Sequence, residues 1–125
     1  MFPLTPKRDN PEERLQIAIV QHLRLLAPSN VIWFHPANGG QRSKRTAARM
    51  KAAGVVPGIP DLSFVLPDGR AAFLELKAPG GRLSPAQKAF GEQCARMEIE
   101  YAVSSDLDQC LSILKAWGVL PRNGE

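Results

Sequence analysis

Apolar positions recur at helical spacing just after Pro11, where Leu15, Ala18, Ile19, Leu23 and Leu26 form a stripe that also takes in His22. The pattern predicts an amphipathic helix that ends before Pro28. At about 100° per residue, Glu12 lies near the centre of the apolar face and Glu13 points away from it. Both acids also suit the positive end of a helix dipole. Val31-Ile32-Trp33-Phe34-His35 is β-branched and aromatic and reads as a buried strand. A loop over 36–40 follows. Residues 43–53 read as a second helix, with Ser43 as cap and Gly54 as stop. Ser84, Pro85 and Gln87 mark a third helix start as cap, first helical residue and capping-box partner, with Ala86, Phe90, Cys94 and Met97 on its core side. Residues 99–103 read as a strand and 105–117 as a last helix, whose Leu107, Cys110, Leu111, Leu114 and Trp117 face inward.

Two apolar runs of strand length fill the middle of the chain, and Pro67-Asp68-Gly69 separates them. Their only ionisable residues are Asp61 at one end and Glu75 and Lys77 at the other. Pro67 pre-sets a type I turn, Asp68 suits the next position, and Gly69 takes the left-handed conformation of a three-residue loop with a G1 bulge. That loop sets Leu66 against Arg70 and Asp61 against Glu75, so Asp61, Glu75 and Lys77 share one face. A two-residue loop on Asp68-Gly69 would instead pair Asp61 with Leu76 and split the carboxylates.

Two carboxylates on one face of an apolar hairpin repel each other. Mg²⁺ resolves the repulsion, because it takes oxygen ligands from one or two carboxylates and completes its shell with water and phosphate. An ion-paired, solvated sheet end is the bland alternative, but the flanks here are too apolar for it.

The formal charge is +4, and its distribution says more than its size. Residues 15–60 hold no Asp or Glu, yet include Arg24, Arg42, Lys44, Arg45, Arg49 and Lys51. Such one-sided charge points to a polyanion. Arg45 and Arg49 lie one helical turn apart, and Lys44 and Lys51 two turns apart, so one side of the second helix would lie along a phosphate backbone. No apolar stretch is long enough to span a membrane, and prolines and charges interrupt the amino terminus, which points to the cytoplasm. Cys94 and Cys110 lack metal-ligand spacing, so a zinc site or a disulfide framework is not expected. Residues 1–10 read as a flexible arm, 11–120 as one domain and 121–125 as a tail.

Pro60-Asp61 with Glu75-Leu76-Lys77 resembles the PD-(D/E)xK nuclease signature. The longer run Gly54-Val55-Val56-Pro57-Gly58-Ile59-Pro60-Asp61-Leu62, with Phe73-Leu74-Glu75-Leu76-Lys77, is similar to its VRR-NUC branch. The resemblance covers residues 12–101. It implies an α/β restriction-endonuclease-like core, a mixed central sheet flanked by helices, and hydrolysis of DNA phosphodiesters with Mg²⁺, or Mn²⁺ as a substitute. Asp61, Glu75 and the Leu76 carbonyl would hold the ion, and Glu12 would approach it. Lys77 would orient the nucleophile, and Gln87 would lie near the catalytic pocket, although the capping box already accounts for it.

The resemblance also makes His35, Asn38 and Gly39 part of a substrate-facing loop ahead of the basic helix, although a histidine at a strand end is as readily structural. The resemblance includes small stand-alone members from phage and bacteria, which implies the cytoplasm of a bacterial cell or phage-infected host. These resemble dimeric Holliday-junction resolvases, which implies branched or flapped DNA, a role in DNA repair and a homodimer. Two other readings compete: a branched-DNA-binding module that does not cut, and a structural component whose basic face packs on an acidic partner.

Overall fold

The computed structural model describes residues 10–37 and 43–122. Most of the expected amino-terminal arm and carboxy-terminal tail therefore lie outside the described residues. Helix α1 (Pro11–Leu26) starts where Asn10 accepts the Glu13 N–H at 3.0 Å. It stops at Ala27, whose extended ψ of 131° is what a following proline imposes. Leu15, Ile19 and Leu23 are its buried stripe.

Four strands, β1 (Ile32–Phe34), β2 (Leu62–Val65), β3 (Ala71–Leu76) and β4 (Glu100–Ser104), form one sheet in that order. β1–β2 and β2–β3 are antiparallel, whereas β3–β4 is parallel. A parallel neighbour needs a crossover, and helix α3 (Pro85–Arg96) supplies it. Helix α4 (Leu107–Ala116) then returns, capped by Asp106, which accepts the Gln109 N–H at 2.8 Å.

Strand alternation sorts the side chains into two layers. Leu62, Phe64, Leu66, Ala72, Leu74 and Leu76 are buried in one core with residues of α1 and α4. Phe64 meets Trp117 edge-on at 6.0 Å. On the other face Phe73 stacks edge-on against Phe90 of α3 at 5.0 Å, and Phe90 lies 6.2 Å from Tyr101. Gly91 makes that layer possible, because a Cβ there would sit 2.7 Å from the Tyr101 ring. Cys94 and Cys110 are free and buried, and burial pushes both thiols up.

Two expectations need correction. β1 is an edge strand rather than a buried one: Val31 is buried and Trp33 half-buried, but Ile32 and Phe34 are 61% and 50% exposed. Apolar composition says that a segment is a strand, but not which faces the helices reach. Met97 is likewise exposed, because it is the C-cap of α3, where the chain leaves helical phase.

Helix α2 (Lys44–Ala52) begins at Ser43, whose hydroxyl accepts the Thr46 N–H at 3.1 Å. It buries no residue, and among the described residues it packs on no other helix or strand. Also among those residues, no helix is long and apolar enough to cross a membrane.

The loop after α2 is pressed onto the start of α3 at Gly58. Its φ is +81°, and a Cβ would lie 2.6 Å from the Ala86 carbonyl carbon and oxygen. Gly80 has a similar φ of +77° with open space around it. Gly80→Ala should therefore cost only the left-handed penalty of about 1–2 kcal/mol. Gly58→Ala should cost about 2–4 kcal/mol, because backbone must also move. Urea unfolding of the two variants should rank them in that order.

Candidate active site

The turn between β2 and β3 sets the geometry of everything at its far end. Leu66 donates its N–H to the Arg70 carbonyl and accepts from the Gly69 N–H, both at 2.8 Å, and Gly69 takes a φ of +86°. This is the bulged three-residue loop expected from Pro67-Asp68-Gly69. The β2–β3 pairs run from Val65↔Ala71 to Leu62↔Leu74, and the next step of that register sets Asp61 against Glu75. Both point away from the α1–α4 core, on the face of Ser63 and Phe73.

Asp61 is anchored on both of its sides. Its Oδ2 accepts the Leu76 N–H at 2.8 Å, and its backbone carbonyl accepts from His35 Nδ1 at 2.5 Å. A carbonyl only accepts, so Nδ1 carries a proton and Nε2 is the free ring position in the neutral imidazole. The histidine at the end of β1 thus ties an edge strand to the carboxylate.

Glu75 is 3% exposed, and its Oε2 is buried with no hydrogen-bond partner among the described residues. Burial, then a hydrogen bond shared with the Asp61 side chain, then the Asp61 charge push its carboxyl up to about 8. Lys77 opposes the rise and Glu12 adds to it. Glu12 reaches this end of the sheet because its Oε1 accepts the Ala78 N–H at 3.2 Å, as its place in the helical stripe predicts.

A buried carboxylate oxygen without a donor, next to a second carboxylate, is the donor set a hard divalent ion takes. The residues present therefore fit such an ion through Asp61 and Glu75. Among the described residues no group of three or more His, Cys, Asp or Glu side chains is close enough to hold a metal, which leaves Glu12 at the margin.

Gln87 completes the capping box: its Oε1 accepts the Ser84 N–H at 2.8 Å while its own N–H donates to Ser84 Oγ at 3.2 Å. It also lines a cavity of about 480 Å³ together with Asp61, His35 and Lys51. Lys44, Arg45, Arg49 and Lys51 are all exposed on α2. Asn38, Gly39 and Arg42 lie outside the described residues.

Tyr101 escaped the sequence reading. Its hydroxyl is buried without a partner among the described residues, on the same face as Glu75, and burial, Glu75, Cys94 and Asp61 push the phenol up to about 12. The one available signal was Gly91, a glycine inside a helix.

A family model described as the VRR-NUC domain matches residues 10–105, which hold Glu12, Asp61, Glu75, Lys77 and Gln87. A solved structure called a VRR-NUC domain protein is 20% identical, covering 88% of this chain and 89% of that one, with a TM-score of 0.71. A second, called a VRR-NUC domain, is 18% identical, covering 87% of this chain and 99% of that one, with a TM-score of 0.59. No curated protein matches the sequence.

A carboxyl raised from its ordinary range to about 8 gives a definite pH dependence. Between those values the folded chain holds a proton that the unfolded chain has released, so this group's contribution to stability falls as pH rises. In EDTA the urea midpoint should drop from pH 5 to pH 8.5 in the natural chain. In Glu75→Gln the drop should be much smaller.

Proposed function

Because the chain belongs to the VRR-NUC domain family, a nuclease-type family, we propose that it is a divalent-cation-dependent DNA endonuclease that hydrolyses phosphodiester bonds and selects branched DNA by its shape. The observation that supports this most directly is that the β2–β3 register brings Asp61 against Glu75, where a buried oxygen of Glu75 lacks any donor among the described residues.

Asp61, Glu75 and, by family resemblance, the Leu76 carbonyl would hold Mg²⁺, with Mn²⁺ as a substitute. The ion would acidify the attacking water and offset charge on the phosphorane-like transition state. The Asp61 carboxylate is kept in place by the Leu76 N–H, and its backbone by His35. Lys77 carries its charge beside Glu75, where it orients the nucleophile and offsets the growing phosphate charge. Glu12 braces the chain just after Lys77. Gln87 keeps its amide hydrogens for the pocket while its oxygen caps α3.

The exposed cations of α2 grip backbone phosphates, which positions DNA without reading its sequence. Specificity then falls to DNA geometry. A homodimer would present two such sites to the two strands of a symmetric four-way junction.

Labelled flaps and four-way junctions with Mg²⁺ test the reading. Asp61→Asn, Glu75→Gln and Lys77→Ala should each slow cleavage by about 100-fold or more, while DNA binding in EDTA persists. Cleavage that survives all three changes would eliminate the site, and binding without cleavage in the natural chain would favour a non-catalytic module. Neutralising Lys44, Arg45, Arg49 and Lys51 together should flatten the logarithmic salt dependence of binding by roughly 3–4.

A further inference from the structure

The cavity beside Asp61 has walls unlike those of an ion or phosphate site. Ala47 and Met50 of α2 form one wall, and Val55, Val56, Pro57 and Ile59 of the following loop form another. Val56 is left 51% exposed, although nothing in its chemistry favours water. α2 itself buries no residue and packs on no other helix or strand among the described residues, so this aliphatic wall is not shaped by the main core. The close approach of Gly58 to Ala86 joins the loop to the start of α3 and holds the cavity in shape.

A phosphate or hydrated cation would lose solvation against such walls, whereas a flat heteroaromatic ring would gain contact. The volume of about 480 Å³ falls within the range of small-ligand sites. Polar groups sit only along part of the lining: Lys51 brings its ammonium, and Gln87 and Ser84 have donors to spare. Gln87 uses its oxygen on the Ser84 N–H, and Ser84 uses its oxygen on the Gln87 N–H. The Gln87 amide hydrogens and the Ser84 hydroxyl hydrogen thus remain available to the ring acceptors of a base. Bases stacked inside a duplex cannot enter, because both of their faces are covered.

We propose that this cavity is a subsite for one unpaired nucleobase adjoining the phosphodiester cut at Asp61 and Glu75. The inference rests on the nuclease reading. It narrows the substrate to DNA with an unpaired nucleotide at the cut, such as a flap base or an opened junction arm. The exposed cations of α2, of which Lys51 lines the cavity, carry the backbone past it, and Asp61 in the same lining marks where the adjoining phosphate lies.

Two measurements on the full chain test the subsite. In the first, a flap carrying 2-aminopurine as the unpaired nucleotide next to the junction is titrated with protein in EDTA. Its fluorescence should rise on binding, whereas the same probe within a duplex arm should not respond. Ala47→Phe fills the cavity from an exposed helix position and should abolish the rise with an unchanged circular dichroism spectrum.

In the second, Mg²⁺-dependent cleavage is compared between that flap and one with an abasic tetrahydrofuran at the same nucleotide. The base-bearing flap should be cut about 10-fold faster, and Ala47→Phe should cut both at the slower rate. Equal rates with and without the base, or no fluorescence rise, would overturn the subsite and leave the nuclease reading standing. A fluorescence rise with no cleavage of any substrate would keep the base pocket and remove the nuclease reading. Failure to bind DNA would remove both.

Discussion

Two like charges held face to face across a hairpin are the constraint on which the rest of this molecule turns. Asp61 and Glu75 are brought together by the strand register, and burial together with the neighbouring Asp61 raises the Glu75 carboxyl. Burying that pair costs stability, so it persists only because apolar layers on both sides of the sheet determine the strands' positions.

Each neighbouring element bears on this pair in its own way. Helix α1 brings Glu12 to the end of β3, and β1 brings His35 to the Asp61 carbonyl. β4 accepts the Lys77 N–H through the Ser104 carbonyl at 3.0 Å, which keeps the chain extended one residue past β3. The α3 layer, spaced by Gly91, closes over Phe73 and Tyr101 and dries the surroundings of Glu75. Low polarity then makes the unmet oxygen of Glu75 costly, and any cation placed there correspondingly favourable.

Local chemistry made much of this legible from the residues alone. The left-handed glycine of the Pro67-Asp68-Gly69 turn carries the register, and the register carries the acid pair. Glu12 was legible through helical phase, and Ser84 and Gln87 through capping chemistry. What escaped depends on distant packing. Whether Ile32 and Phe34 are covered depends on how far α3 reaches, and the proximity of Tyr101 to Glu75 depends on a parallel pairing across a crossover. His35 reaches a backbone carbonyl 26 positions away, a distance over which periodicity carries no information.

The brevity of the β2–β3 loop has a kinetic consequence. Hairpins of this kind close in about 1–10 μs, whereas the parallel β3–β4 pairing must wait for a helix-containing crossover to be ordered. The alignment of the two acids is therefore written into a contact that forms before the sheet is complete. Later errors in docking the crossover would leave the pair aligned but wet, with the spacing between its carboxyls intact.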